Sequence, residues 1–265
     1  MPHSITIIGT GNVAWHLAPA LEQAGHVINE VYGRSEDKAL ILQERLNNSG
    51  LAPSLDFSQS ESTLFIIAVS DNAIKKIASE IVLPEQTILV HTSGTAAMSL
   101  LQESGIKNIG VFYPLQTISR NRDISFRGLP LLIEASNSST QDQLEKIGDS
   151  LHAETTVTSS KDRKGIHLAA VFANNFTNHM IDIAGQVMRE KSLDVNLLTP
   201  LIRETVEKAL AQSPSSAQTG PAARGDTDTM QNHIQQLEFN PQLQELYRMI
   251  SKNIRDVMTK SKFTH

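Results

Sequence analysis

At 265 residues, with 40% hydrophobic and 19% charged residues, the chain can fold one large domain or two modest ones around real cores, which excludes disorder as a global description. No run approaches the roughly 18 to 20 consecutive apolar residues of a membrane-spanning helix, and Met1–Ser4 leads straight into a strand-like segment, so a cytoplasmic protein with no membrane partner is expected. The absence of cysteine removes disulfides, thiolate catalysis and Cys-based zinc sites. The net charge of −5 divides into −7 over residues 1–155 and +2 over residues 156–265, and neither half has the basic footprint of a nucleic-acid binder.

In chain order, the first half alternates short β-rich runs with helical patterns, the signature of βαβ units and a parallel sheet. Strands are predicted at Ser4–Ile8, His26–Tyr32, Leu64–Val69, Ile88–His91, Ile109–Tyr113 and Leu131–Glu134. Between the first two, Asn12–Ala24 reads as a helix with Val13, Leu17 and Leu21 on one face, Gly25 as its stop, and Pro19 as an interior bend. After about residue 155 the strand signals stop. Lys164–Met188 is nearly continuous helix, apolar on more than one side, and is expected to be buried between other helices. Thr199-Pro200 reads as a cap and first helical proline opening a helix through Ala211. Asn240-Pro241 repeats the device before an amphipathic closing helix, with Thr259–His265 frayed. The expected fold is α/β, a Rossmann-type doubly wound, mostly parallel sheet over residues 1–155, followed by an all-α domain over 156–265.

The first strand runs directly into Gly9-Thr10-Gly11-Asn12-Val13-Ala14 at the opening of a helix. Gly9 permits the tight turn, Gly11 lets the backbone approach a pyrophosphate, and Ala14 lets the helix lie close on the sheet, while the helix N-terminus offers unpaired N–H groups. The motif with its strand, helix and position predicts a dinucleotide site. An NAD site carries an acid at the end of the second strand to bind the ribose 2′-hydroxyl. Here Gly33 falls at that place, followed by Arg34 and Ser35, and Glu30 lies too early, inside the strand. A guanidinium and a hydroxyl suit a 2′-phosphate, so NADP is favoured over NAD; otherwise Arg34 is a solvated loop cation. Val69, Ser70 and Asp71 end the third β run beside the adenosine ribose, with Asp71 equally readable as a helix N-cap. His91 and Ser93 end the next strand, closer to where a nicotinamide reaches, or else form an ordinary polar turn.

The long helix carries a polar stripe. With His167 at zero, Asn174 falls at about −20°, Asn178 at about +20°, Asp182 at about 60° and Asn175 at about 80° at 100° per residue. Buried amides and an imidazole need partners or a wet cleft. One reading makes His167 a proton donor and Asn175 or Asn174 a substrate-orienting group; the other makes His167 a satisfied core histidine. In Thr219–Asp226, two glycines and a proline constrain the backbone around Arg224, a candidate carboxylate clamp, and Asp226 reads as the cap of a helix at Thr227–Leu237. No metal site is expected, because the histidines lack paired helical spacing and accompanying carboxylates.

Taken with Tyr113-Pro114-Leu115-Gln116-Thr117 and His167–Phe176, these motifs resemble the NADP-dependent oxidoreductases that join a Rossmann-like domain to a helical domain of the DUF2520 type, over essentially the whole chain. That family is similar to pyrroline-5-carboxylate reductase, the β-hydroxyacid dehydrogenases and the ketopantoate reductases. The resemblance implies hydride transfer from NADPH to a small carboxylate substrate in the cleft between the domains. A ketopantoate-like 2-oxo acid leads, with an imine as the enzyme alternative. His167 stands where β-hydroxyacid dehydrogenases have a catalytic lysine, and Tyr113 where many relatives have histidine, so a lysine mechanism does not transfer. In the expected site, Ser93 and His91 lie near the nicotinamide, His167 protonates the developing alkoxide, Asn175 orients the carbonyl and Arg224 pairs with the carboxylate. Apolar helix faces predict a homodimer through the helical domain. A non-catalytic NADP-binding sensor or scaffold is the competing class.

Overall fold

Strands that are apolar on both faces must be covered on both, and Leu64–Ile67, buried at all four positions, is the clearest case. The computed structural model describes residues 2–261; the part of the expected fraying that falls on residues 262–265 lies outside the described residues. Eight strands, β1 (Ser4–Ile8), β2 (Val27–Tyr32), β3 (Gly50–Leu51), β4 (Leu64–Ile67), β5 (Ile88–His91), β6 (Asn108–Pro114), β7 (Pro130–Ala135) and β8 (Glu154–Val157), form one sheet in the order β3-β2-β1-β4-β5-β6-β7-β8. Every neighbouring pair is parallel except β6 with β7. Of the six predicted strands, Ser4–Ile8 and Ile88–His91 keep their bounds and the other four have ends displaced by a residue or two, and β3 and β8 are additional.

Helices α1 (Asn12–Gln23), α2 (Glu36–Gln43), α3 (Asp71–Glu80) and α4 (Ser138–Ser150) connect the strands. Ile5, Ile7, Leu64, Ile66 and Val90 pack with Leu17 and Leu21 of α1 and Leu144 and Ile147 of α4 on one face. Ile8, Phe65, Ile67 and Leu89 pack with Ile74 and Ala78 of α3 on the other. Pro19 lies inside α1, as the sequence indicates.

The chain divides into two compact units, one up to Asn174 and one from Asn175 on. Helix α5 (Ser160–Ala170), placed in the second domain by the expected division at 155/156, thus belongs to the first unit. Its anchor is Arg163, whose side chain has no exposed surface. The guanidinium donates to Ser93 O at 3.3 Å and to Ala96 O, and pairs with Glu134 at 2.8 Å.

A π-helical turn, Val171–Phe176, follows α5 and runs into α6 (Thr177–Glu190). The remaining helices are α7 (Thr199–Ala211), α8 (Pro214–Ala217), α9 (Pro221–Arg224), α10 (Thr227–Gln236) and α11 (Pro241–Ser261). Asp226 caps α10 as predicted, accepting from Thr229 N at 3.1 Å, and Asn240 Oδ1 accepts from Gln242 N at 3.1 Å at the start of α11. Thr199 is not a cap. A 3-10 turn, Val195–Leu198, feeds straight into α7, which makes Thr199 its first residue. The helix expected to be buried is exposed over residues 172–182, with Leu168 60%, Phe172 62% and Phe176 47% accessible within the chain. Among the described residues no helix is long and apolar enough to cross a membrane.

Breaking a buried ion pair strands the remaining charge, at a cost of about 3–5 kcal/mol. Arg163→Met is therefore expected to destabilise the protein by that order in urea unfolding followed by circular dichroism. Adding Glu134→Gln should recover part of the loss, and equal stability of wild type and the single variant would refute the anchoring role.

Candidate functional site

The strand order 3-2-1-4-5-6 places a crevice at the carboxyl ends of β1 and β4, where the direction of winding reverses. A cavity of about 770 Å³ opens there. Its floor is Gly9–Val13, its one end Gly33, Arg34, Ser35 and Lys38, its middle Ala68–Asp71, and its other end Thr92–Gly94, Tyr113 and His167. All of these belong to the first unit.

Gly9 has φ +119°, and a Cβ there would lie 2.3 Å from Ala68 O, so this turn admits only glycine. Gly11, the residue before α1, offers no side-chain cap, which leaves the first N–H groups of the helix for an anion. The turn is held from above by the chain after β6. Asn12 Nδ2 donates to Ile118 O at 2.9 Å, His16 Nε2 donates to Ser119 O at 2.9 Å, and Arg120 donates to Thr10 O. The guanidinium groups of Arg120 and Arg45 lie over the Trp15 ring system at 4.6 and 4.0 Å from its centroid.

At the end of β2, a Cβ on Gly33 would meet Thr10 Cγ2 at 2.8 Å and Ala39 Cβ at 3.1 Å. A side chain at the position where an NAD site holds its acid would therefore have to displace Thr10, while Arg34, Ser35 and Lys38 line the cavity. Lys38 was not singled out in the sequence; one turn into the helix after Arg34, it doubles the local cation. Glu30 points into a polar cluster instead, accepting from Thr6 Oγ1 at 3.0 Å and Ser60 Oγ at 2.6 Å. These residues fit NADP: a glycine turn for the pyrophosphate, and two cations with a hydroxyl for the 2′-phosphate.

Asp71 is the first residue of α3, not its N-cap, a place taken by Ser70, and its carboxylate accepts from Thr95 Oγ1. Ser93 lines the cavity and its Oγ accepts from Thr95 N at 3.1 Å and Ala96 N at 2.9 Å, which makes it the organiser of the turn after β5. His91 is fully buried and does not line the cavity, because its ring turns back to accept from Ser93 N at 3.1 Å on Nδ1. Nε2 then carries the ring proton and has no hydrogen-bond partner among the described residues. Burial, and then the Arg163 charge, pull this imidazole down to about 4, against the Ala97 backbone and Asp71.

His167, on the last turn of α5, meets Tyr113 on β6: Tyr113 Oη lies 3.0 Å from His167 Nδ1. Gly94 makes the space, since a Cβ there would stand 2.6 Å from Nδ1 and 2.7 Å from Tyr113 Cζ. Burial, reinforced by the Asp71 charge, pushes the Tyr113 phenol up, and Arg163 opposes this. In the sequence Tyr113 stands out only as a departure from relatives, and its pairing with His167 has no local signal because it joins residues 54 apart.

The polar stripe does not survive in the predicted form. Asn174 and Asn175 are exposed and lie in the π-turn, whose wider winding breaks the 100° step on which the phases relative to His167 were built. Asn175 and Arg224 belong to the second unit, where Arg224 ends α9 and is exposed. Among the described residues no group of three or more His, Asp or Glu could hold a metal.

A doubly wound sheet with a glycine turn at its switch point defines a Rossmann-type dinucleotide-binding protein. Family models for a Rossmann-like domain and for a domain of unknown function, DUF2520, match residues 2–115 and 129–254. A Bacteroides fragilis structure given as an inferred NADP oxidoreductase is 35% identical, with 96% of this chain and 98% of that one covered and a TM-score of 0.88. The chain belongs to this Rossmann-like plus DUF2520 family. An imine reductase from Myxococcus stipitatus in complex with NADP+ shares the fold at 16% identity, covering 98% and 94% of the two chains with a TM-score of 0.66. So does a pyrroline-5-carboxylate reductase from Coxiella burnetii, at 18% identity, 98% coverage of both chains and a TM-score of 0.60. No curated protein matches the sequence.

Two outcomes follow from this geometry. Arg34→Ala is expected to weaken NADPH binding about tenfold or more while changing NADH binding little, as read by calorimetry; equal losses for both nucleotides would remove the 2′-phosphate role. The folded state holds His91 neutral down to about pH 4, whereas the unfolded chain takes up a proton below about 6.5. Its contribution is therefore complete above about pH 6.5 and is lost towards pH 4, with a slope of up to about 1.4 kcal/mol per pH unit. His91→Asn should flatten that part of the stability profile. His3 and His26, also lowered by burial, add acid sensitivity of the same sign to both proteins.

Proposed function

We propose that the chain is an NADPH-dependent reductase of a small carboxylate-bearing substrate with a C=O bond to reduce, a ketopantoate-like 2-oxo acid being the leading candidate. The observation that carries this reading is the span of a single cavity. It runs from Arg34 after β2 to Tyr113 and His167 beside β6, four strand spacings or about 19 Å, and ends at a titratable ring. NADPH, when bound, supplies the hydride. Gly9–Val13 hold the pyrophosphate through backbone N–H groups, and Arg34, Ser35 and Lys38 hold the 2′-phosphate. Val69, Ser70 and Asp71 line the ribose stretch. His167 delivers a proton to the oxygen of the reduced carbon, and Ser93 shapes the turn that walls this end. Asn175 and Arg224, the orienting and carboxylate-pairing groups expected from the sequence, keep those roles as part of the proposal.

An imine, reduced with the proton going to nitrogen, is the second reading, favoured by the shared fold with an imine reductase and a pyrroline-5-carboxylate reductase. The functional unit is proposed to be a homodimer through the helical half. Among its described hydrophobic residues only Ala222, Leu237 and Leu243 are buried, while Leu168, Phe172 and Phe176 are exposed on the helix leading into it. Light scattering at the mass of one chain would count against this.

Calorimetric titration with NADPH and NADH, followed by addition of ketopantoate or pyrroline-5-carboxylate while cofactor oxidation is watched, tests the function. Turnover of ketopantoate supports the first reading and turnover of pyrroline-5-carboxylate the second. Tight NADPH binding without turnover of either favours a non-catalytic NADP-binding role. With a turned-over substrate, His167→Ala should lower kcat by about 10²-fold or more with NADPH affinity kept, and Arg224→Ala should raise the substrate KM.

A further inference from the structure

A neutral imidazole has one N–H and one lone pair, and only the protonated nitrogen can donate. Two arrangements satisfy the 3.0 Å contact between Tyr113 and His167. Either the phenol donates to Nδ1 and Nε2 carries the ring proton, or Nδ1–H donates to the phenol and Nε2 is a bare acceptor. The surroundings separate the two. The phenol is half-buried, and its desolvation together with the Asp71 charge makes it hold its proton. His167 Nδ1 is the one hydrogen-bond partner of that hydroxyl among the described residues, and a half-buried hydroxyl hydrogen is best satisfied there. His167 Nε2 has no such partner among the described residues, and the ring lines the cavity.

We propose that Tyr113 is a positioning residue for His167: its phenolic hydrogen bond to Nδ1 fixes the Nε2–H tautomer, so that the ring presents a donor, not a lone pair, to the cavity. The proposal rests on the reductase reading of this cavity. The pair is built into the fold at three points. Tyr113 is fixed by β6, which pairs on both sides. His167 is fixed by Arg163 one helical turn earlier. Gly94 gives the two rings their shared floor, where any side chain would strike both. A donor set by a neighbouring hydroxyl also differs from a lysine ammonium, because the imidazole offers one fixed direction and no permanent charge.

The test needs no substrate. Protein labelled with 15N-histidine is compared as wild type and Tyr113→Phe by two-bond proton–nitrogen correlation at about pH 8.5, where an ordinary imidazole is neutral. His167→Gln assigns the resonance among the nine histidines. In the wild type, a single tautomer with protonated Nε2 and the upfield shift of a hydrogen-bonded Nδ1 acceptor is expected. In Tyr113→Phe, Nδ1 should move to the position of a free acceptor and the Nδ1–H tautomer should gain population. A proton on Nδ1 in the wild type, or identical His167 spectra in both proteins, would overturn the proposal. Should Tyr113→Phe fold poorly, Gly94→Ala supplies the same reading, because its Cβ separates the rings with the hydroxyl still present. Since the spectra are taken without cofactor or substrate, absence of turnover would defeat the reductase reading alone, whereas a wrong tautomer would defeat the role of Tyr113 alone.

Discussion

A guanidinium without exposed surface is costly to place inside a protein, and Arg163 sets the terms on which the first unit is assembled. Burial lowers its pKa, and the Glu134 charge opposes that. Its Nε–H and one Nη2–H go to the Ser93 and Ala96 carbonyls, in the turn that follows β5. Glu134 on β7 is in turn held by Ser160 Oγ at 2.9 and 2.8 Å, at the start of α5. Strand, turn and helix are thereby tied at one buried polar point. Such a pair adds little net stability compared with an apolar replacement, yet removing one partner is costly. One turn later along α5 the same helix delivers His167 to the cavity.

The cofactor end was legible because its signals are local. Gly9 needs a positive φ, Gly11 leaves the helix start uncapped, and Gly33 and Arg34 follow the second strand directly, so spacing alone identifies them. The reason for Gly33 became visible only in three dimensions, in the side chains of Thr10 and Ala39. Strand existence was equally readable from apolar runs. β8, reading Glu-Thr-Thr-Val with three exposed positions, carries no such run and is held by its pairing with β7.

The chemical end was less legible, because it depends on contacts between distant residues and on a helix that is not regular. Tyr113 and His167 meet across 54 residues. His91 looked like a cavity residue because it ends a strand facing the ligand edge, yet a backbone N–H two residues on captured its ring. A uniform α-helical phase does not run through Val171–Phe176, because the π-turn there changes the phase of everything after it. The apolar content of this helix is real, but within a single chain Leu168 stays largely exposed.

Trp15 is the one tryptophan in the chain, and it stands four residues beyond Gly11, with the guanidinium groups of Arg45 and Arg120 on its ring. Arg120 also holds Thr10 O of the glycine turn. The indole is thus coupled to the segment that an arriving pyrophosphate must touch, and its ultraviolet emission falls where a reduced nicotinamide absorbs. Trp15 emission is therefore expected to change when NADPH arrives, with neither dye nor label.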